Sequence, residues 1–190
     1  ETVARLGGIG NDTARLEDPA GGIVAYPTEA VYGLGCDPLN PDAVMRLLAL
    51  KHRPWQKGMI LIASSLKQLE PFILPLIPEI AERVRPTWPG PVTWLLPARP
   101  DVPPWLRGEH TTLAVRVTAH PLAAALCETF RGPIVSTSAN LAGLDPARNA
   151  LTVRRELGER VDYILHGALG DLAQPTEIRD AQTGCIVRAG

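Results

Sequence analysis

The apolar residues of this 190-residue chain fall into short runs, each closed by proline, glycine or a polar turn, and these runs alternate with segments of helical spacing. Residues 23–26, 59–63, 92–96, 113–117, 133–136 and 162–165 have the length and content of strands. Between the first two, Asn40 is placed to cap a helix with Pro41 at its first position. Val44, Leu47 and Leu48 then recur at helical spacing until Pro54 forbids continuation, so that helix ends near Lys51. Further helices are expected at residues 66–72 and 78–84, from Pro121 onward, and at 150–157. Residues 177–179 and 186–188 read as a closing hairpin through Thr183-Gly184. Strands interleaved with helices require an α/β layered fold, and the hairpin makes its sheet mixed. The length suits a single domain, 1–190, in which residues 1–20, rich in glycine and charge, are expected to be loosely ordered.

Several classes of function are excluded at this level. No apolar run approaches the roughly 20 residues that cross a bilayer, and Glu1-Thr2-Val3-Ala4-Arg5-Leu6 lacks the basic and apolar regions of a secretory signal. A cytoplasmic protein without a membrane partner is expected. With Lys+Arg 19 against Asp+Glu 20, no global field draws nucleic acid, so any such binding needs a local patch. Cys36, Cys127 and Cys185 are scattered and predict reduced, structural thiols. His52, His110, His120 and His166 have no metal-ligand spacing and read as surface or loop histidines. Gly33-Leu34-Gly35 follows a strand and precedes a helix, but Pro38 occupies the third glycine position of the dinucleotide fingerprint. Neither a G-x-x-x-x-G-K-[ST] phosphate loop nor a G-x-S-x-G nucleophile elbow occurs, so a nucleotide would need another cradle.

Two short motifs carry more chemistry. Lys51-His52-Arg53 stands at the end of the helix that Pro54 closes, and if the chain straightens after Leu50 both cations project the same way. Lys as a point charge and Arg as a bidentate fork would then clamp phosphates; the plainer reading is a solvated helix end whose cations favour the dipole. Ser136-Thr137-Ser138-Ala139-Asn140 follows an apolar strand by the same logic, with Ser138 and Asn140 on one side. Hydroxyls and an amide at a strand end suit phosphate or ribose oxygens, or equally a turn and a helix cap. Pro27-Thr28-Glu29 also leaves a strand, and Arg116 within residues 113–117 either faces solvent or reaches an anion in a cleft.

Taken together, five segments resemble the YrdC-like family, and more narrowly its short bacterial threonylcarbamoyl-AMP synthases. They are residues 26–35 (YPTEAVYGLG), Lys51-His52-Arg53-Pro54, residues 88–93 (WPGPVT), Leu113-Ala114-Val115-Arg116 and Ser136-Thr137-Ser138-Ala139-Asn140, in the family's order. The resemblance implies a twisted mixed β-sheet flanked by helices around a substrate cleft. It also implies that L-threonine, bicarbonate and ATP are joined into threonylcarbamoyl-adenylate with release of pyrophosphate, for a tRNA modification completed by downstream threonylcarbamoyl-transfer proteins. Its catalytic tetrad falls on Lys51, Arg53, Ser138 and Asn140. By the same matching, ATP is met by Lys51, Arg53, Lys57, Thr112, Ser138 and Arg188, and threonine by Thr28, Arg116, Ser136 and Thr176. Mg²⁺ is expected to arrive on the triphosphate, since no acidic pair marks a protein-built metal site.

The chain departs from the longer branch of the family at Ala30, where that branch has a second Thr, and at residues 60–63, where it has a His. That branch's additional C-terminal domain is not expected here. The competing class is an RNA-binding module, for tRNA or double-stranded RNA, with Lys51, Arg53, Lys57, Arg116 and Arg148 along a cleft and no catalysis. A third reading, a hydrolase or carbamoyl transferase acting on carbamoyl phosphate, follows from related domains of larger proteins.

Overall fold

The computed structural model describes residues 13–189. The strand-length apolar runs become β1 (Val24–Pro27), β3 (Ile60–Ala63), β4 (Val92–Pro97), β5 (Thr112–Val117), β6 (Ile134–Ser138) and β7 (Tyr163–Ile164), and the hairpin becomes β8 (Glu177–Asp180) and β9 (Ile186–Arg188). One further strand, β2 (Tyr32–Gly35), escapes the sequence reading. All nine join one twisted sheet in the order β7-β1-β2-β6-β3-β5-β4-β8-β9. β1–β7, β3–β5 and β4–β8 pair in parallel and the other neighbours antiparallel, so the sheet is mixed as expected.

β2 hides because two of its four residues are glycine, which sequence propensity counts against a strand. The structure supplies the reason for them. The Tyr26 ring of the neighbouring strand lies over β2, and a Cβ on Gly35 would stand 2.8 Å from that ring and 2.7 Å from the Val135 carbonyl oxygen. The glycines expected to precede a helix thus make room for a buried tyrosine.

Beyond a helical turn at residues 13–16, the helices among the described residues are α1 (Pro41–Leu50), α2 (Leu66–Leu69), α3 (Pro78–Val84), α4 (Pro104–Arg107), α5 (Pro121–Phe130) and α6 (Ala150–Leu157). α2 is shorter than the span read from sequence, and α4 was not anticipated. α1 starts as expected: the Asn40 side chain accepts from the backbone N–H groups of Asp42 and Ala43. His120, read as a surface or loop residue, is instead buried as the cap of α5. Its Nδ1 accepts from the N–H of Leu122 and Ala123, while its Nε2 lies 2.8 Å from the Ala168 carbonyl. Cys36 and Cys127 are buried free thiols, whereas Cys185 is free but exposed. Burial, first among the causes, pushes the Cys127 thiol up to about 12.

Strand alternation divides the sheet into two faces with different tasks. Leu113, Val115 and Val117 of β5 join Leu61, Ala63 and Val135 in the main core, together with Val44 and Leu47 of α1 and Val153 of α6. On the opposite face, Val24, Tyr26, Ile62 and Ile134 pack against Ala123, Leu126 and Cys127 of α5, forming a smaller core that covers part of that face. Leu16, within the first twenty residues, is buried in this smaller core. The glycine-rich run at residues 7–10, and with it most of the segment expected to be loosely ordered, lies outside the described residues.

Overpacking a tight site costs about 1–3 kcal/mol, so Gly35→Ala is expected to lower the urea unfolding free energy by that amount. Gly132→Ala, where a Cβ would meet nothing within 4 Å, should leave it nearly unchanged. Equal stabilities for the two variants would refute the packing role given to Gly35.

Candidate active site

Where α5 stops covering the sheet, the same face opens into a cavity of about 520 Å³. Alternation carries the side chains into it: Thr112, Ala114 and Arg116 from β5, Ser136 and Ser138 from β6, Thr93 and Leu95 from β4. Thr28 enters from the turn between β1 and β2, Arg53 and Lys57 from the segment after α1, and Thr176 and Arg188 from the β8–β9 end. The structure therefore brings to one cavity every site residue expected from sequence except Lys51 and Asn140. Those two stand behind Ser138 and do not line the wall.

Their position follows from how α1 ends. The chain does not straighten after Leu50, contrary to expectation. Lys51 stays in the helical region and His52 turns left-handed, with φ 46°; the His52 N–H then donates to Ala49 O and the Arg53 N–H to Leu48 O. This is a Schellman-type stop with histidine in the place usually taken by glycine. It sends Lys51 toward β6, where Nζ donates to Asn140 Oδ1 (2.5 Å), Ser138 O (2.8 Å) and Asn140 O (2.9 Å). The Ser138 hydroxyl also donates to Asn140 Oδ1 at 2.7 Å, and Asn140 Nδ2 donates to the carbonyls of Leu141 and Leu144. Lys51 and Asn140 thus fix Ser138 and the loop after β6. Arg53 turns the other way, toward the cavity, held by Nε and Nη2 donating to the Gly58 carbonyl.

The part of the cavity around the end of β5 is organised by a buried ion pair. Arg116, only 4% exposed, donates from Nη1 to Glu29 Oε1 at 2.6 Å, and the same oxygen accepts from the Thr118 hydroxyl and the Ala119 N–H. Burial alone would push the Glu29 carboxyl up, but Arg116, Thr118 and backbone donors together hold it below the usual carboxylate range. Arg116 lines the cavity as expected, yet it already has a carboxylate partner inside the protein.

Comparison with known proteins places this arrangement. The sequence signature of the Sua5/YciO/YrdC family, described as telomere recombination, matches residues 19–190. The chain belongs to the Sua5/YciO/YrdC family. It is 60% identical over 168 residues to the threonylcarbamoyl-AMP synthase of Nitrosococcus oceani, covering 88% of this chain and 91% of that protein. Its fold superposes on E. coli YciO with a TM-score of 0.84 at 27% identity, over 97% of this chain and 90% of that one. P. abyssi Sua5, solved in complex with L-threonine, gives 0.82 at 31% identity; the match covers 92% of this chain but about half, 51%, of that longer one.

Like charges crowd one side of this Sua5/YciO/YrdC cavity. Burial, and then the neighbouring Arg53 charge, pushes the Lys51 ammonium down to about 8. Arg53 is lowered by burial and then by Arg188, and Arg188 by burial. Such a cluster favours a multiply charged anion. Among the described residues no Asp or Glu lines the cavity and no group of His, Cys, Asp and Glu could hold a metal ion, so these walls do not fit a protein-held divalent cation. Sequence reasoning missed Glu29, Thr93, Arg107 and His110. The last two ride on or just after α4, a helix too short to show a period, whereas Glu29 and Thr93 sit within quoted motifs and lacked only a partner.

Since the free Lys51 ammonium loses its proton near 8 rather than in the ordinary lysine range, the charge that attracts anions is present below that pH and lost above it. Pyrophosphate affinity, measured calorimetrically from about pH 7 to about pH 9.5, is therefore expected to fall across that range in the wild type and much less in Lys51→Arg. A flat wild-type profile would contradict the place given to Lys51.

Proposed function

We propose that this chain is a threonylcarbamoyl-AMP synthase, forming threonylcarbamoyl-adenylate and pyrophosphate from L-threonine, bicarbonate and ATP. The observation that carries this reading is the meeting of two residue sets in one cavity. Arg53, Lys57 and Arg188 line it together with Thr28, Arg116, Ser136 and Thr176 and with Thr112 and Ser138, and Arg188 Nη2 donates to the Thr176 carbonyl where the two sets adjoin. The name of the Nitrosococcus oceani relative and the threonine complex of P. abyssi Sua5 support it. The volume is ordinary for a small-molecule site, which runs about 300–1,000 Å³.

The chemistry asks for no protein nucleophile. The threonine amine and bicarbonate condense to a carbamate with loss of water. A carbamate oxygen then attacks the α-phosphorus of ATP in line, and the bond to the bridging oxygen breaks to release pyrophosphate. The protein's tasks are to bring anions together and to stabilise charge on the leaving group. Arg53, Lys57 and Arg188 neutralise the phosphates, and Ser138 and Thr112 donate to nucleotide oxygens. Lys51 and Asn140 act from behind Ser138, the first also through its charge. Arg116, held by Glu29, serves the amino acid. Mg²⁺ enters as part of the ATP complex, and no step here is assigned to a protein-held metal.

Threonylcarbamoyl-transfer proteins are the consumers of the adenylate in this reading, with tRNA as the final acceptor and the cytoplasm as the compartment. No helix among the described residues is long and apolar enough to cross a membrane. Pyrophosphate release should require ATP, L-threonine and bicarbonate together, and Arg53→Ala should slow it by roughly tenfold or more, as expected for a lost charge-assisted contact. Equal release without threonine would overturn the reaction. No turnover in any combination, with double-stranded RNA bound tightly, would favour the binding module instead.

A further inference from the structure

Arg107 has no role in the reaction as described so far, although it lines the same cavity as Arg53, Lys57 and Arg188. It is half-buried at the end of α4, and its side-chain hydrogen bond runs from Nη1 to the His110 carbonyl at 3.1 Å. No carboxylate pairs with it among the described residues. A guanidinium carries five N–H donors, so most of them have no acceptor in the described protein.

The backbone locks Arg107 beside the other cations. The Met59 N–H donates to Leu106 O and the Glu109 N–H to Gln56 O, so the segment after α1 and the end of α4 run against each other. Two glycines permit that approach. Gly58 and Gly108 have φ of 71° and 65°, and a Cβ on Gly108 would stand 2.2 Å from the Gln56 carbonyl oxygen and 2.6 Å from the Gly58 nitrogen. The Gly58 carbonyl at this junction is also the acceptor that holds Arg53 through Nε and Nη2. One junction therefore carries Arg53, Lys57 and Arg107. Contacts continue in the other direction, since Arg188 lies close enough to Arg53 to lower its basicity and donates from Nη2 to the Thr176 carbonyl.

We propose that Arg107 binds the terminal phosphates of ATP, and the pyrophosphate they become, and so selects a polyphosphate over a monophosphate. The inference rests on the proposed reaction for the order of its ligands. In that reaction the α-phosphorus must adjoin the carbamate of the amino acid, and the β- and γ-phosphates extend away from it. The contacts run in the same order, from Thr176 through Arg188 and Arg53 to the Gly58 junction and Arg107. A guanidinium fork with open donors matches two phosphate oxygens, and Lys57 beside it adds a point charge.

Binding without turnover tests this. Arg107→Gln keeps a donor for the His110 carbonyl and removes the charge, so the loop stays seated. In calorimetric titrations with Mg²⁺ present, pyrophosphate and ATP should bind this variant about tenfold more weakly than the wild type, equivalent to about 1.4 kcal/mol. AMP should bind within about twofold of the wild type, since it lacks the terminal phosphates. Arg107→Lys should recover pyrophosphate affinity to within about threefold, keeping the charge without the fork. Added salt should weaken pyrophosphate binding less steeply in the glutamine variant than in the wild type. Wild-type pyrophosphate affinity in Arg107→Gln would overturn the proposal, as would an equal loss for AMP and pyrophosphate, which marks a displaced loop. Loss of the cooperative melt in Arg107→Gln would make the residue structural and overturn it as well. If the variant weakens pyrophosphate binding while the wild type releases none from ATP, L-threonine and bicarbonate together, the proposed reaction fails and the phosphate site stands.

Discussion

The buried pair of Arg116 and Glu29 is the interaction on which the site depends. Arg116 stands on β5 where the opened face changes character, with Ile62 and the smaller core on one side and Ala114, Ser136 and the cavity on the other. A guanidinium at that boundary costs several kcal/mol of desolvation unless it is paired and hydrogen-bonded. Glu29 meets the requirement and, in doing so, ties together the β1–β2 turn, the end of β5 and the entry to α5. Its Oε1 accepts from Arg116, Thr118 and Ala119, and the Thr118 hydroxyl also accepts from the His120 N–H at the cap of α5. The pair thus marks where the helix stops and the cavity begins.

The cationic part of the cavity is built on the reverse principle, with like charges gathered and, among the described residues, no ion pair to Lys51, Arg53 or Arg188. Lys51, Arg53 and Arg188 are each made less basic by burial, and Lys51 and Arg53 also by a neighbouring cation. That arrangement is unfavourable in isolation and is relieved by a polyanion. Lys51 spends its ammonium protons on Ser138 and Asn140, so its charge is held close to the cavity while its hydrogen bonds set the shape of the floor. One residue therefore links the end of α1, the end of β6 and the electrostatics of the site.

Much of this was legible in the sequence, where local rules sufficed. The cap at Asn40, the stop near Lys51, the alternating β5 and the closing hairpin all follow from residue types and periods. The two-residue spacings of Lys51-His52-Arg53 and Ser138-Ala139-Asn140 identified residues that do meet in space. The geometry behind the first was different: a left-handed His52 separates the two cations instead of an extended chain aligning them. β2 was missed because its glycines answer to Tyr26 on another strand, and His120 was misplaced because its partner, Ala168, lies far along the chain. Glu29 was quoted within a motif without a role for the same reason, since its partners are 87 to 90 residues away.

A double-mutant cycle between Glu29 and Arg116, using Glu29→Gln and Arg116→Met and read in urea at neutral pH, tests the organising role of the pair directly. Glu29 is held below its ordinary range, so its contribution is present above about pH 4.3 and lost as the pH falls through its lower folded value. At neutral pH each single variant should lose about 3–5 kcal/mol of stability by stranding a buried partner, and the double variant much less than their sum. Losses that simply add, within about 0.5 kcal/mol, would contradict the account.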